Sequence, residues 1–269
     1  MGKREEYIVK LKPLISGSSY EELEEMLISN SNLPGPRGNL ELAYAFGDCF
    51  EAEQDNDDAL NLLWKWSIIS EGATPSDTPK EFIPFCAIQA LAALFKSVDS
   101  KKKSEIVQLF KAAASDPRWR IREAIAIGFQ RIAEKDFGEV KEIFDKWIDQ
   151  ATLLEKRAMI AALAHPPVLN AKGNVQFCLQ LTERILDDLI YPGKELRKRE
   201  EFRVLRQGLE YAISVFVSKL PDQGFEFMKK WAMEDDPDIK KIIKSNLGKS
   251  RLTKTYGEQV NEVMTILTR

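Results

Sequence analysis

In the segment DPRWRIREAIAIGFQRIAE the apolar residues Ile121, Ala124, Ile125, Gly128, Phe129 and Ile132 recur at steps of three and four. They therefore share one face of a helix, and the polar residues between them take the other. This helical period continues from end to end of the chain, with no convincing alternation of β-branched residues, so the predicted fold class is all-α with strand content near zero. Gly128 lies inside the apolar face and leaves room for a neighbouring helix to approach closely. Three amphipathic runs, ALNLLWKW, EVKEIFDKW and GFEFMKKW, end in Lys65-Trp66, Lys146-Trp147 and Lys230-Trp231. The tryptophans stand 81 and 84 positions apart, about two units of roughly 40 residues, which is a paired-helix repeat length. At the ends of apolar runs, Trp147 and Trp231 read as packing anchors between helices.

Start and stop signals divide the chain into about seven antiparallel hairpins, at 3–29, 39–69, 81–114, 117–149, 152–190, 197–233 and 237–268. Ser19 with Glu22 predicts a capping box for YEELEEMLIS. Asp116-Pro117 and Asp236-Pro237 predict two further helix starts, aspartate as cap and proline in the first turn. The loops LPGPRG (33–38), GATPSDT (72–78) and HPPVLNAKG (165–173) interrupt the series. A single helix pair cannot bury its own apolar surface, so each must stack on its neighbours, and residues 1–269 are expected to form one repeat domain.

Asp116-Pro117 through Arg122-Glu123-Ala124, and Asp236-Pro237 through Ile239-Lys240, carry an acidic-proline start, an apolar-basic pair and a small residue. In this the chain resembles the HEAT-repeat family, with looser copies at 154–158 and 204–208. The resemblance implies a right-handed α-solenoid that binds proteins or nucleic acids, usually on the concave ridge formed by the second helix of each hairpin. It also implies an inter-repeat charge ladder, for which Asp116, Arg122, Arg157, Arg206, Asp236 and Lys240 are the candidates. The texture is distantly similar to the bacterial DNA-alkylation-repair proteins of HEAT type. The tryptophan-rich run leading into a Ser-Val-Asp segment, where that group places its catalytic carboxylate, has no counterpart here, so no catalytic residue is carried over.

The formal net charge is −3, from 39 basic and 42 acidic residues, so no global field draws the chain to nucleic acid or anionic lipid. Cys49, Cys86 and Cys178 sit in apolar helical contexts without zinc or disulfide spacing and are expected to be buried thiols. With no signal peptide and no apolar run of membrane-spanning length, a soluble cytoplasmic monomer is expected, without a cofactor or metal. His165 is the one histidine, in a loop before Pro166-Pro167, so histidine-based metal sites and triads lack partners.

Gly248-Lys249-Ser250 imitates the end of a phosphate loop, but Ile243 stands where that motif requires glycine. The better reading is Gly248 as a helix C-cap, with Lys249 and Arg251 on the last carbonyls. Asp57-Asp58, Asp187-Asp188 and Asp235-Asp236 are adjacent acids that cannot face one reacting atom from a helix, and the first and last suit helix N-termini. Two basic clusters remain: Arg118 and Arg120 around Trp119, and Arg199, Arg203 and Arg206, whose spacing on a continuous helix makes one stripe. These six are the candidate binding residues, although Glu195, Glu200, Glu201 and Glu210 interleave the second cluster. The sequence thus points to a non-catalytic scaffold or adaptor for a protein partner. The alternative is a DNA-binding or glycosylase-like protein that contacts phosphates through these clusters.

Overall fold

The computed structural model describes residues 2–51, 56–190 and 193–268. Among them there are helices and turns and no strand. The helices are α1 (Lys3–Ser16), α2 (Tyr20–Ser29), α3 (Leu40–Glu51), α4 (Asp57–Ser67), α5 (Phe82–Leu94), α6 (Ser100–Ala113), α7 (Trp119–Lys135), α8 (Phe137–Trp147), α9 (Leu153–Leu163), α10 (Lys172–Asp187), α11 (Lys194–Lys198), α12 (Glu200–Lys219), α13 (Pro221–Ala232), α14 (Pro237–Leu247), α15 (Ser250–Thr253) and α16 (Gly257–Leu267). Five of the expected hairpins correspond to packed pairs, α1 with α2, α5 with α6, α9 with α10, α12 with α13 and α14 with α16, and the expected segments 39–69 and 117–149 each hold two helices, α3 with α4 and α7 with α8. The chain divides into two compact units, 1–135 and 136–269.

In the first unit α1, α3, α5 and α7 pack each on the next, and α2, α4 and α6 lie against α5 or α7. Alternate helices thus form two layers, the packing of an α-solenoid. At the centre, every residue of α5 is buried, as a helix apolar on all sides must be. Its one polar side chain, Gln89, donates to the Ala124 carbonyl of α7 at 2.8 Å. Gly128 fulfils its expected role, since a Cβ there would lie 3.0 Å from the Phe110 ring of α6. Gly47 serves a charge instead. Arg131 of α7 reaches Asp48 of α3 past this glycine, where a Cβ would stand 2.6 Å from its Nη1, and Arg4 of α1 joins Asp48 from the other side.

In the second unit α9, α12 and α14 form one layer, and α8, α10, α13 and α16 supply the other. α12 is the hub, touching α9, α10, α13, α14 and α15. Asn246 of α14 is fully buried and ties into the α12 backbone: its Oδ1 accepts from Ser214 N, and its Nδ2 donates to the Leu209 carbonyl, both at 2.8 Å. On the far side Gly224 of α13 allows contact with Val217. Trp66, Trp147 and Trp231 are buried as anchors, and Cys49, Cys86 and Cys178 are buried, none of them in a disulfide. Burial pushes the Cys86 and Cys178 thiols above the ordinary range, which keeps them protonated and inert.

The caps follow the sequence in part. Asp236 caps α14, accepting from Asp238 N and Ile239 N, with Pro237 in the first turn. Asp116 instead accepts from Arg118 N at 2.8 Å, so Pro117 stays outside and α7 begins at Trp119. Ser19 occupies the N-cap of α2 without making the capping-box bond. The capping box that forms is Thr152 with Glu155, at 3.3 and 2.7 Å. Asp57 and Asp58 lie in the first turn of α4, while Asp188 follows α10 and pairs with Lys156.

Two substitutions test the α12 hub. Gly224→Ala puts a Cβ 2.7 Å from Val217 Cα, a backbone atom that cannot swing aside, and is expected to cost about 1–3 kcal/mol. Asn246→Ala removes the partner of a buried amide and carbonyl and is expected to cost about 1–3 kcal/mol. Urea unfolding checks both, as a lower midpoint at unchanged m-value.

Candidate functional site

The two arginine clusters of the sequence have different fates in the structure. Arg118 is 2% exposed. Its guanidinium forks onto Asp116 at 2.9 and 2.7 Å, and it also donates to Thr74 Oγ1 and to the Ile69 carbonyl. Arg120, 4% exposed, binds Asp77, Glu81 and the Gly35 carbonyl. Together the two side chains pin the loops around 33–38 and 72–78 to the start of α7. Asp77 has φ 62°, a left-handed conformation that aspartate tolerates better than most residues. Between the two arginines Trp119 remains 43% exposed, with the Arg120 guanidinium 4.4 Å from its ring centroid.

Arg199, Arg203 and Arg206 do not form one stripe. The backbone at Arg199 is extended (φ −69°, ψ 146°), ending α11 and preceding α12, so this residue is not on the same continuous helix face. Arg206 turns toward α14, 2.6 Å from Asp238 and 3.1 Å from Glu210, while Arg197 joins Asp236 and Asp238. This is the unit's charge ladder, with Asp238 and Arg197 in it and Lys240 outside it, paired with Asp235. In the first unit Arg122 likewise bonds the Asp116 and Pro117 carbonyls within its own turn. Arg199 and Arg203 stay exposed, the latter 3.6 Å from Glu200.

The exposed face of α12 carries Arg203, Gln207 and Tyr211 at successive turns. Tyr211 is 49% exposed. Arg251 lies with its guanidinium carbon 4.7 Å from the ring centroid and donates to the Tyr211 hydroxyl at 3.0 Å, while Lys249 Nζ is 6.0 Å from the same centroid. Lys249 and Arg251 therefore attend this ring. They are not seen on the last carbonyls of α14, although Gly248 does occupy its C-cap. On α14, beside α12, Lys241 and Lys244 are exposed. Among the described residues no carboxylate stands within ion-pair distance of Lys241, Lys244, Lys249 or Arg251.

This surface has a sequence signature: residues 239–257 hold six cations (Lys240, Lys241, Lys244, Lys249, Arg251 and Lys254) and no acid. The other layer of the unit contrasts with it. There Lys230 pairs with Glu183, Arg184 with Asp145 and Asp149, and Lys229 with Glu226 and Glu262. Hydrogen bonds donated to Glu262 and Glu226 by Lys229, and to Glu183 by Lys230, hold these ammonium groups above the usual lysine range.

The chain matches no protein-family model and no curated protein. Among solved structures it is similar to a designed armadillo repeat protein, at 12% identity and a TM-score of 0.29, over 82% of this chain and 97% of that one. The fold described above rests on helix order and layer packing alone.

Proposed function

We propose that the chain is a non-catalytic binding scaffold, a HEAT-like repeat domain over residues 1–269, that recognises an anionic macromolecular partner. The observation that carries this reading is a set of cations without acidic partners, Lys249 and Arg251 at the exposed Tyr211 ring and Lys241 and Lys244 on α14, with Arg199 and the Glu200-paired Arg203 at the start of α12. On the other layer of the same unit the named cations face carboxylates, so the local positive field concentrates on Lys241, Lys244, Lys249 and Arg251 of α14, α15 and the turn between them. That favours the first helix of the hairpins as the ligand side, where the HEAT resemblance places contacts on the second.

Arg118, Arg120 and Arg206 belong to structure in this reading, and Trp119 remains an exposed aromatic of the first unit. A protein partner on the basic surface would present an acidic segment. Nucleic acid is the second reading, favoured by the ring that the cations surround. No residue is assigned to the base excision that the glycosylase-type resemblance would require.

Chromatography on heparin-agarose tests the charge reading. The chain is expected to bind at low salt despite its formal charge of −3, and Lys249→Glu with Arg251→Glu is expected to elute earlier. Flow-through of the unmodified chain at low salt sinks the reading. Arg118→Ala separates structure from binding: removing this buried guanidinium takes the partner from half-buried Asp116 and the donor from Thr74 and Ile69, and is expected to lower stability by about 1–3 kcal/mol, without shifting the elution of the folded protein.

A further inference from the structure

We infer that the partner of the Tyr211 surface is a single-stranded nucleic acid, its phosphates held by the lysine and arginine rim and an unstacked base lying at the Tyr211 ring. The inference rests on the charge reading above and adds to it the chemical class of the ligand.

Three features lead to this ligand. First, four cations are unneutralised: Lys241, Lys244, Lys249 and Arg251 have no carboxylate beside them, while Arg199 and Arg203, the latter 3.6 Å from Glu200, lie further along the α12 side. At about 1.5 Å per residue, Arg203 and Tyr211 stand roughly 12 Å apart on the helix, so the charge accompanies an extended chain and does not collect at one point. Second, the aromatic lies among the charges instead of behind them. An acidic peptide supplies carboxylates, but its acidic residues offer nothing flat to stack on a half-exposed tyrosine. A nucleic acid supplies a phosphate and a π-face in every unit, and stacking on aromatics and guanidinium planes is how flexible strands are held.

Third, the ring is fixed before any ligand arrives. The Tyr211 hydroxyl accepts from Arg251, whose guanidinium also lies against the ring. A fixed platform loses little side-chain freedom on binding. In a duplex the base faces are already stacked on one another, so a ring on the exposed face of a helix meets phosphates and sugars there. Only a strand with free bases uses both the charges and the ring.

The test is fluorescence anisotropy of the full chain with a labelled mixed-sequence 20-nucleotide DNA single strand, the RNA of the same sequence, the DNA duplex, and a poly-glutamate peptide. One or both single strands are expected to bind at least tenfold more tightly than duplex or peptide. Neutralising about four to six phosphates predicts a slope of log K against log salt of about −3 to −4. Tyr211→Ala is expected to weaken strand binding about tenfold, and Tyr211→Phe, which keeps the ring but loses the hydroxyl bond to Arg251, only about two- to threefold. Lys249→Glu with Arg251→Glu should reduce it further, and circular dichroism confirms that each variant is folded.

Tighter binding of poly-glutamate overturns the inference and leaves the anionic-partner reading standing. Tighter binding of duplex, or a Tyr211→Ala variant that binds as well as the unmodified chain, also overturns it. Failure to bind any of the four probes at low salt removes both.

Discussion

One-sided burial is the constraint from which the rest of this structure follows. A helix with a single apolar face cannot hold itself in water, and a hairpin of two such helices still leaves apolar surface open, so every pair must find a neighbour. The consequence is most visible at the two hubs. α5 is apolar all round and is enclosed by α3, α4 and α7, with its one amide satisfied by the Ala124 carbonyl. α12 carries an uninterrupted buried run from Ala212 to Val217 and is touched on several sides. Close approach is then a matter of what can be left out: Gly128 admits the Phe110 ring, and Gly224 admits Val217.

Once the layers are packed, charge near the interior must be answered locally, because an ion taken from water without a partner costs several kcal/mol. Asp116 with Arg118, Glu81 with Arg120, and Asp236 and Asp238 with Arg197 and Arg206 are the solutions. Asp116 and Arg118 are neighbours, but Arg118 also reaches Thr74 and Ile69, and the other pairs join segments 32 to 41 positions apart, so irregular loops are held to regular helices. Guanidinium suits this work, since its planar fork can serve a carboxylate and a carbonyl at once. An arginine so held presents little of itself to a ligand. Arginine content alone therefore says little about binding, and the partner of each guanidinium says much more.

That distinction also marks how far the sequence could be read. Helical period, the tryptophan interval and the cap signals point to the all-α class, the order of paired helices and the buried anchors, because these are set by residues near one another in the chain. The fates of Arg118, Arg120 and Arg206 depend on Thr74, Asp77 and Asp238, and spacing gives no sign of such long-range partners. The break at Arg199 was equally hidden, since 199, 203 and 206 keep a helical spacing through a backbone that is extended at the first of them. Thr152 and Glu155 spelled a capping box in plain sequence. So did the acid-free run at 239–257 spell a basic surface, even though the chain as a whole is slightly acidic.

Net charge averages over surfaces that a partner meets one at a time. At physiological salt, exposed charges separated by more than about 8 Å are largely screened from one another, so the acids of distant helices do little to cancel the cations beside Tyr211. Screening thus lets a mildly acidic protein carry a basic face. The ionic pairs of α8, α10, α13 and α16 sharpen the contrast, because each of those cations already has a carboxylate of its own. An anion approaching that layer must displace an existing pair. One approaching Lys241, Lys244, Lys249 or Arg251 displaces only water and counterions, whose release favours binding, and beside the last two it meets an aromatic ring bonded to Arg251.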